Sequence, residues 1–260
     1  MDVCTDKAEL SRYLAQDRDL HLYALGDLDD PFWSRCTYWV QRTAGNISAL
    51  VLLYQMGDLP VLMALGESNH KHMLPLIEAV LPTLGPRVYA HISQGLEAPF
   101  LSQFRCTYHE TQKRMIQRRH PERPNTSATT VWLGPEDAER LSAFYQQAYP
   151  ENWFDPTMLE VHPFAGLEQD GQLVSAAGIH CLSQSFGSTA LGSITTAPAQ
   201  RGQGYALATT LDLCDALRRV APHIGLNVHA QNLAAQRTYA KAGFDTVAEF
   251  SEMMLERSPG

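Results

Sequence analysis

A glycine-rich junction in the second half of the chain has the residue types that bind an anion. The segment Arg201–Ala206 follows an apolar, strand-like stretch and leads directly into a helical pattern. Gly202 and Gly204 let the backbone approach a ligand without a Cβ in the way. The free N–H groups at a helix N-terminus favour a negative charge, and Arg201 adds a fixed positive one. The junction therefore predicts a site for a phosphate or a pyrophosphate.

The two best-known phosphate motifs do not fit this junction. The P-loop of nucleotide hydrolases ends in Gly-Lys-Ser/Thr, which is absent here. The dinucleotide fingerprint needs glycine or alanine at the position that Leu207 occupies. Short glycine patterns are weak signals, so a turn that binds nothing stays open on this segment alone.

A second motif follows downstream and changes the interpretation. Asn232 is a typical helix N-cap, Tyr239 lies within the following helix, and Gly243-Phe244 marks its end. Together with the junction, this motif resembles the GNAT superfamily of acyl-CoA-dependent N-acyltransferases. The family signature Arg/Gln-x-x-Gly-x-Gly/Ala is matched by Arg201, Gly204 and Ala206. The resemblance covers about half of the chain, from roughly Thr129 to Leu255.

The resemblance implies that acetyl-CoA binds at the junction as the acyl-CoA co-substrate. The backbone amides of the 203–207 turn would hold its pyrophosphate, and the backbone of a preceding strand would pair with its pantetheine arm. The thioester would lie where the strands 191–196 and 225–230 splay, and an N–H there would polarise its carbonyl. The implied cofactor-binding residues are Ile194, Thr196, Arg201, Gly202, Gln203, Gly204, Tyr205, Ala206 and Asn232.

The resemblance also implies a general acid. Tyr239 would protonate the departing CoA thiolate, although a tyrosine at this helical position can equally be a core aromatic residue. The general base is left open between His180 and His229, with Glu151 and Asp155 as further candidates and a water relay as another route.

The acceptor pocket is expected beside the first helix of the second half. Glu151, Trp153 and Phe154 are the substrate-binding candidates there, because family members line the acceptor pocket with this loop. An aromatic cover over the loop is the alternative interpretation of the same residues.

The sequence predicts two domains of mixed α/β fold. The polar, proline-containing segment 118–127 reads as a linker between an N-terminal α/β domain (1–120) and a catalytic domain (128–260). We expect a GNAT-like fold in the second, with a central, mostly antiparallel, splayed sheet flanked by helices. The first has a comparable order of elements without the glycine motif, so we interpret it as a degenerate GNAT-like half. Glycine N-acyltransferase-like proteins have a similar layout.

Local patterns predict the main elements. The apolar run 20–28 is expected to pack between layers, and Asp170-Gly171 is a strong hairpin signal. A turn is predicted at 56–58. Helices are predicted at 6–15, 70–81, 206–219 and 232–243, and strands at 46–54, 59–65, 88–92, 164–168, 173–181, 191–196, 225–230 and 244–255.

Composition limits the partners. The 260 residues carry a formal net charge of −8, which argues against a nucleic acid or an anionic membrane. Five scattered cysteines without a C-x-x-C pair predict reduced thiols, with neither a disulfide framework nor a metal site. No leader or membrane-spanning run is evident, so we expect a cytoplasmic monomer or homodimer.

These observations favour an enzyme that transfers an acyl group, by default acetyl, to a primary amine of a small molecule or amino acid. A non-catalytic acyl-CoA-binding or sensing module is an alternative of a different class, and a protein or peptide acetyltransferase is a third. Tyr239 favours the enzyme, because a module that only binds has no need of an acid at that position.

Overall fold

The computed structural model describes residues 1–55, 57–66 and 70–258. They form two compact units. Unit 1 comprises Met1–Arg114, Val228–Gln231 and residues 247–258; unit 2 comprises Met115–Asn227 and Asn232–Thr246.

Twelve strands and eight α-helices lie in the described part of the chain. The strands are β1 (Asp2–Val3), β2 (Cys36–Thr43), β3 (Asn46–Tyr54), β4 (Val61–Ala64), β5 (Arg87–Ser93), β6 (Phe104–Gln117), β7 (Thr129–Leu133), β8 (Phe164–Gln169), β9 (Gln172–Ser183), β10 (Ser188–Thr196), β11 (His223–His229) and β12 (Phe244–Arg257). The helices are α1 (Lys7–Leu14), α2 (Leu22–Gly26), α3 (His70–Val80), α4 (Ala98–Leu101), α5 (Ala138–Ala148), α6 (Met158–Val161), α7 (Tyr205–Leu217) and α8 (Leu233–Lys241). Short 3₁₀ turns cover Ala15–Asp17, Trp33–Arg35, Leu81–Thr83, Pro135–Asp137 and Pro198–Gln200.

The units are assembled differently from the predicted domains 1–120 and 128–260. Each predicted domain is continuous, whereas each observed unit takes residues from both parts of the chain. The main reason is β12, whose residues 250–256 pair with residues 87–93 of β5 in unit 1. The predicted linker is irregular over residues 118–126. The predicted turn 56–58 includes Met56, which lies outside the described residues.

Unit 1 is built on a sheet whose strand order is β1-β2-β3-β4-β5-β12. Its pairs are antiparallel except for the parallel pair β4–β5. Helix α3 joins that parallel pair and buries one face against the sheet, because its apolar residues recur every three or four positions. Those buried residues are Met73, Leu76, Ile77 and Val80. All five residues of α2, within the predicted packed run 20–28, are buried as well.

Unit 2 repeats this plan with the order β11-β10-β9-β8-β7. The pair β10–β11 is parallel and joined by α7, and the other pairs are antiparallel. The predicted Asp170-Gly171 hairpin is confirmed, with φ of 52° and 75° at its two residues. The fold class is therefore confirmed: mixed α/β, with mostly antiparallel pairing and flanking helices.

None of the helices in the described part of the chain combines the length and apolar character that a membrane-spanning helix requires.

Candidate active site

The glycine-rich junction forms an open, positively charged turn at the N-terminus of α7. Gly202 and Gly204 adopt left-handed φ values of 82° and 81°, and Gly204 is the N-cap of the helix. A Cβ added at either residue would meet nothing within 4 Å, so glycine is needed here for backbone conformation and not for space. Exposed Arg201 lies in the same turn, and its Nε donates to Thr196 O at 3.3 Å.

The backbone amides of this turn are available to an anion. The Ala208 N–H donates to Gly204 O at 3.0 Å, which makes it the first helical bond of α7. The N–H groups of the first turn before it have no intrahelical acceptor. Those of Tyr205, Ala206 and Leu207 therefore face the space in front of the helix. The residues present fit the pyrophosphate of acyl-CoA.

The Tyr205 side chain has a different role from its backbone. The ring is only 2% exposed, and its hydroxyl lies 2.9 Å from both Ser127 Oγ and Gln169 Oε1. A second acceptor, Gln203 Oε1, lies 3.1 Å from the same hydroxyl. The side chain anchors the start of α7 within unit 2, and only the backbone N–H of Tyr205 remains for a ligand.

The strand before the junction leaves the parallel pairing early. Residues 188–191 of β10 pair with residues 223–226 of β11. Strand β10 continues to Thr196, but in the described part of the chain no residue after Leu191 is paired with β11. Ile194 and Thr196, two of the predicted cofactor-binding residues, lie in this stretch.

The same stretch carries a β-bulge. Gly192 pairs with Gly178 and Thr195 with Ala176, so β10 advances three residues while β9 advances two. Ser193, inside the bulge, has a left-handed φ of 51°. Its carbonyl accepts a hydrogen bond from the Tyr145 hydroxyl at 2.6 Å.

Tyr239 is a buried residue of α8. Its ring is 8% exposed and lies 6.2 Å from the Phe244 ring, measured between centroids. Burial raises the pKa of the phenol, and the neighbouring Tyr149 raises it further. Tyr239 therefore holds its proton throughout the neutral range and is a hydrogen-bond donor.

The end of α5 brings Tyr239 and the unpaired stretch of β10 into one region of unit 2. Tyr149, which influences the pKa of Tyr239, follows the last residue of α5. That last residue, Ala148, accepts a hydrogen bond from Thr195 Oγ1 at 3.5 Å. Sequence reasoning did not identify Tyr145, Tyr149 or Ser193, because each reads as an ordinary core or loop residue.

Asn232 has the predicted capping geometry. Its side-chain oxygen accepts a hydrogen bond from the Ala235 N–H at 3.1 Å, and the side chain is exposed at the start of α8.

The two candidate bases have different surroundings. His180 is half-buried on β9, and its ring covers Gly192, where a Cβ would lie 2.0 Å from Nε2. His229 lies in unit 1, where its Nε2 is 3.0 Å from Glu110 Oε2 and its Nδ1 accepts from the Gln231 N–H at 3.1 Å. In the neutral form of His229, Nε2 therefore carries the proton and the Nδ1 lone pair is already used.

The predicted acceptor loop packs its aromatic residue inward. The Phe154 ring lies 5.1 Å from Tyr145 and 5.6 Å from Phe164, measured between centroids. Trp153 is half-buried and Glu151 is exposed. Asp155, the other carboxylate considered, caps the next turn by accepting from the Thr157 N–H at 2.8 Å.

In the part of the chain that the structure describes, no three His, Cys, Asp or Glu residues are grouped so as to hold a metal ion.

Comparisons with known proteins agree with this geometry. Residues 127–244 match the sequence model of the family described as "Acetyltransferase (GNAT) family". That range contains the glycine-rich junction, Asn232 and Tyr239. No curated protein shows significant sequence similarity to the chain.

Solved structures with the same fold cover nearly the whole chain. A GNAT-family protein from Novosphingobium aromaticivorans is 17% identical with a TM-score of 0.65, covering 93% of this chain and 98% of that one. A GCN5-related N-acetyltransferase from Sphaerobacter thermophilus is 15% identical with a TM-score of 0.62, covering 99% and 95%. A tandem GNAT protein from the clavulanic acid biosynthesis pathway is 13% identical with a TM-score of 0.57, covering 98% and 97%. Residues 127–244 therefore match the acetyltransferase (GNAT) family model, and the chain as a whole shares its fold with a tandem GNAT protein.

Proposed function

We propose that unit 2 transfers an acetyl group from acetyl-CoA to a primary amine of a small molecule or amino acid. The observation that carries the proposal is the early end of the β10–β11 pairing at Leu191 and Leu226, which leaves the last five residues of β10 without a β11 partner ahead of the glycine-rich turn. An extended thioester-bearing arm needs free strand backbone, and its pyrophosphate needs helix N–H groups. Both are present in consecutive segments of unit 2.

The reaction has a simple atom balance. The amine nitrogen attacks the thioester carbonyl carbon, and a tetrahedral intermediate forms. The C–S bond then breaks, the amide forms, and the sulfur leaves as a thiol. The Ile194 N–H, in the unpaired bulge of β10, stabilises the oxyanion of the intermediate.

Tyr239 acts on the leaving group in this proposal. Its O–H donates to the sulfur as the C–S bond breaks, and the proton that the amine loses restores the phenol. Burial raises the pKa of Tyr239 above that of a free tyrosine, so the phenol keeps its proton in the neutral range.

His180 is the better of the two histidines for the role of base. It packs on Gly192 at the start of the bulge, whereas the Nδ1 lone pair of neutral His229 is already occupied by Gln231. The exposed carboxylate of Glu151 would attract the ammonium form of an acceptor. The covering role of Phe154 leaves Glu151 and Trp153 as the residues of that loop to contact the substrate.

A thiol-release assay tests the proposal. Acetyl-CoA is supplied with a panel of small amines, amino acids and lysine-containing peptides, and released thiol is followed for the wild type and for Tyr239→Phe. Turnover with small amines that falls in the variant supports the proposal. Turnover with peptides alone indicates a peptide acetyltransferase. Binding of acetyl-CoA without turnover, unchanged by the substitution, indicates a non-catalytic acyl-CoA-binding module.

A further inference from the structure

The β-bulge in β10 is held by a tyrosine from a different layer of unit 2. Tyr145 lies on α5, is 2% exposed, and donates its hydroxyl proton to Ser193 O at 2.6 Å. A buried phenol needs a hydrogen-bond partner, and this carbonyl provides it. The Phe154 ring, 5.1 Å away between centroids, packs against the Tyr145 ring.

The carbonyl that accepts this hydrogen bond belongs to Ser193, where β10 departs from the extended backbone conformation. Ser193 has a φ of 51°, a left-handed conformation that a non-glycine residue adopts only when its surroundings hold it there. Neither Ser193 nor Ile194 is paired with β9 in the described register. The contact with Tyr145 therefore replaces a ladder hydrogen bond that the bulge has removed.

The hydrogen bond to Ser193 O also affects the N–H group of the next residue, Ile194. Ser193 O and the Ile194 N–H belong to one planar peptide unit, and in a trans peptide they point to opposite sides. Fixing the carbonyl on Tyr145 thus fixes the direction of the N–H. A donor on the oxygen also withdraws charge from the peptide, which makes its N–H a stronger donor in turn.

We propose that Tyr145 is a positioning residue for acyl transfer, which aims and polarises the Ile194 N–H at the thioester carbonyl through its hydrogen bond to Ser193 O. This inference rests on the proposed function, because it assigns a support to the oxyanion donor of that reaction. Burial raises the pKa of Tyr145, which keeps its proton in place over the working range.

Tyr145→Phe removes the hydroxyl and keeps the ring. We expect kcat to fall by about tenfold or more. The loss should stay below the 10²–10³-fold that is typical when an entire oxyanion donor is removed. KM for acetyl-CoA should change less than twofold. Tyr38→Phe is the matched control: Tyr38 is 1% exposed in unit 1, and its hydroxyl donates to Ala24 O at 3.0 Å. Equal loss of kcat in both variants would overturn the inference.

The deciding measurement is the infrared carbonyl stretch of ¹³C-labelled acetyl-CoA bound without acceptor. In the wild type we expect a frequency lower than in solution, and Tyr145→Phe should move it back towards the solution value. An unchanged frequency in the variant overturns the role of Tyr145 and leaves the acetyl-CoA site intact. Failure of the wild type itself to bind acetyl-CoA, or to lower the frequency, contradicts the proposed function instead.

A second variant covers the case in which Tyr145→Phe does not fold. Introducing 3-fluorotyrosine at position 145 keeps the hydroxyl and makes it a stronger donor. The carbonyl frequency should then fall below that of the wild type, and an unchanged value counts against the inference.

Discussion

The Gly66 N–H donates a hydrogen bond to Ser93 Oγ at 3.1 Å in unit 1, just beyond the end of β4. In unit 1 this hydrogen bond lies at the position that corresponds to residues 192–196 of β10, which have no β11 partner in unit 2. All four residues of β4 also pair with β5, whereas β10 continues for five residues after its pairing with β11 ends. The two units share a topology but differ at the place where an extended ligand would enter.

From this difference we expect one acyl-CoA site per chain. Titration calorimetry with CoA should give a stoichiometry of one, because the sequence of unit 1 has no Arg-x-x-Gly-x-Gly/Ala pattern and, among its described residues, all of β4 is paired with β5. A stoichiometry of two would contradict the assignment of unit 1 as a degenerate half.

Gly204→Ala should weaken acetyl-CoA binding. A left-handed alanine is strained by about 1 kcal/mol, so the turn relaxes and its amides no longer converge. Gly171→Ala is the control, since Gly171 also has a left-handed φ, of 75°, and also has open space around it. Both variants should lose similar thermal stability, but only Gly204→Ala should raise the Kd for CoA. Equal affinities in the two variants would count against the turn as the pyrophosphate site.

Tyr239→Phe should lower kcat by about 10²-fold while KM for acetyl-CoA stays nearly constant, because the hydroxyl acts only as the sulfur leaves. In the wild type, kcat should show no alkaline decline up to about pH 10, since the raised pKa of Tyr239 moves loss of its proton above the ordinary tyrosine value. Tyr13→Phe, at an equally buried residue of unit 1, should leave kcat unchanged. A decline beginning near pH 8 would show that another group is the acid.

Gly192→Ala should destabilise the protein by about 1–3 kcal/mol, because the new methyl group would lie 2.0 Å from His180 Nε2. Chemical denaturation of Gly192→Ala, His180→Ala and the double variant forms a cycle. The double variant should recover most of the loss, because the alanine at position 180 makes room. Purely additive effects would mean that the His180 ring does not constrain the start of the bulge.

Asp27 should make unit 1 less stable as the pH rises. Burial raises the pKa of this carboxyl to about 8, so the folded state holds a proton that the unfolded chain has lost above about pH 4. The contribution of the Asp27 carboxyl to the free energy of unfolding is fully present below pH 4 and is lost as the pH rises through 8. Urea denaturation between pH 6.5 and 8 should show a falling free energy of unfolding in the wild type and a flatter profile in Asp27→Asn.

The pH range from 6.5 to 8 distinguishes the effect of Asp27 from that of His21, a second buried titratable group. Burial lowers the pKa of His21 to about 4, so His21 destabilises the folded state only as the pH falls below its unfolded value near 6.5. A wild-type profile that is flat from pH 6.5 to 8 would contradict the prediction for Asp27.

Local signals in the sequence are sufficient for the elements around the candidate site. The Asp170-Gly171 turn and the Asn232 cap depend on short-range geometry, and both occur as predicted. Strand β3 matches its predicted range 46–54 because residues 49–53 form an unbroken apolar run. Strand β6 gives no such signal, since residues 104–114 are mostly polar and lack a clear alternation.

The support for the site depends on contacts between distant residues. Tyr145 occupies the apolar face of α5, and from the sequence it differs little from the core residues Leu141 and Phe144. Its contact with Ser193 spans 48 positions of the chain. The bulge that makes the contact useful arises from the register of β9 and β10, which no local pattern encodes.

The pairing of β12 with β5 determines when unit 1 can be completed during synthesis. Residues 87–93 leave the ribosome more than 150 positions before residues 250–256, their partners. Until then the nascent chain carries an open sheet edge at β5. The amino-terminal half therefore reaches its final form only after residues 127–244 have been translated, and an isolated fragment 1–120 would expose that edge permanently.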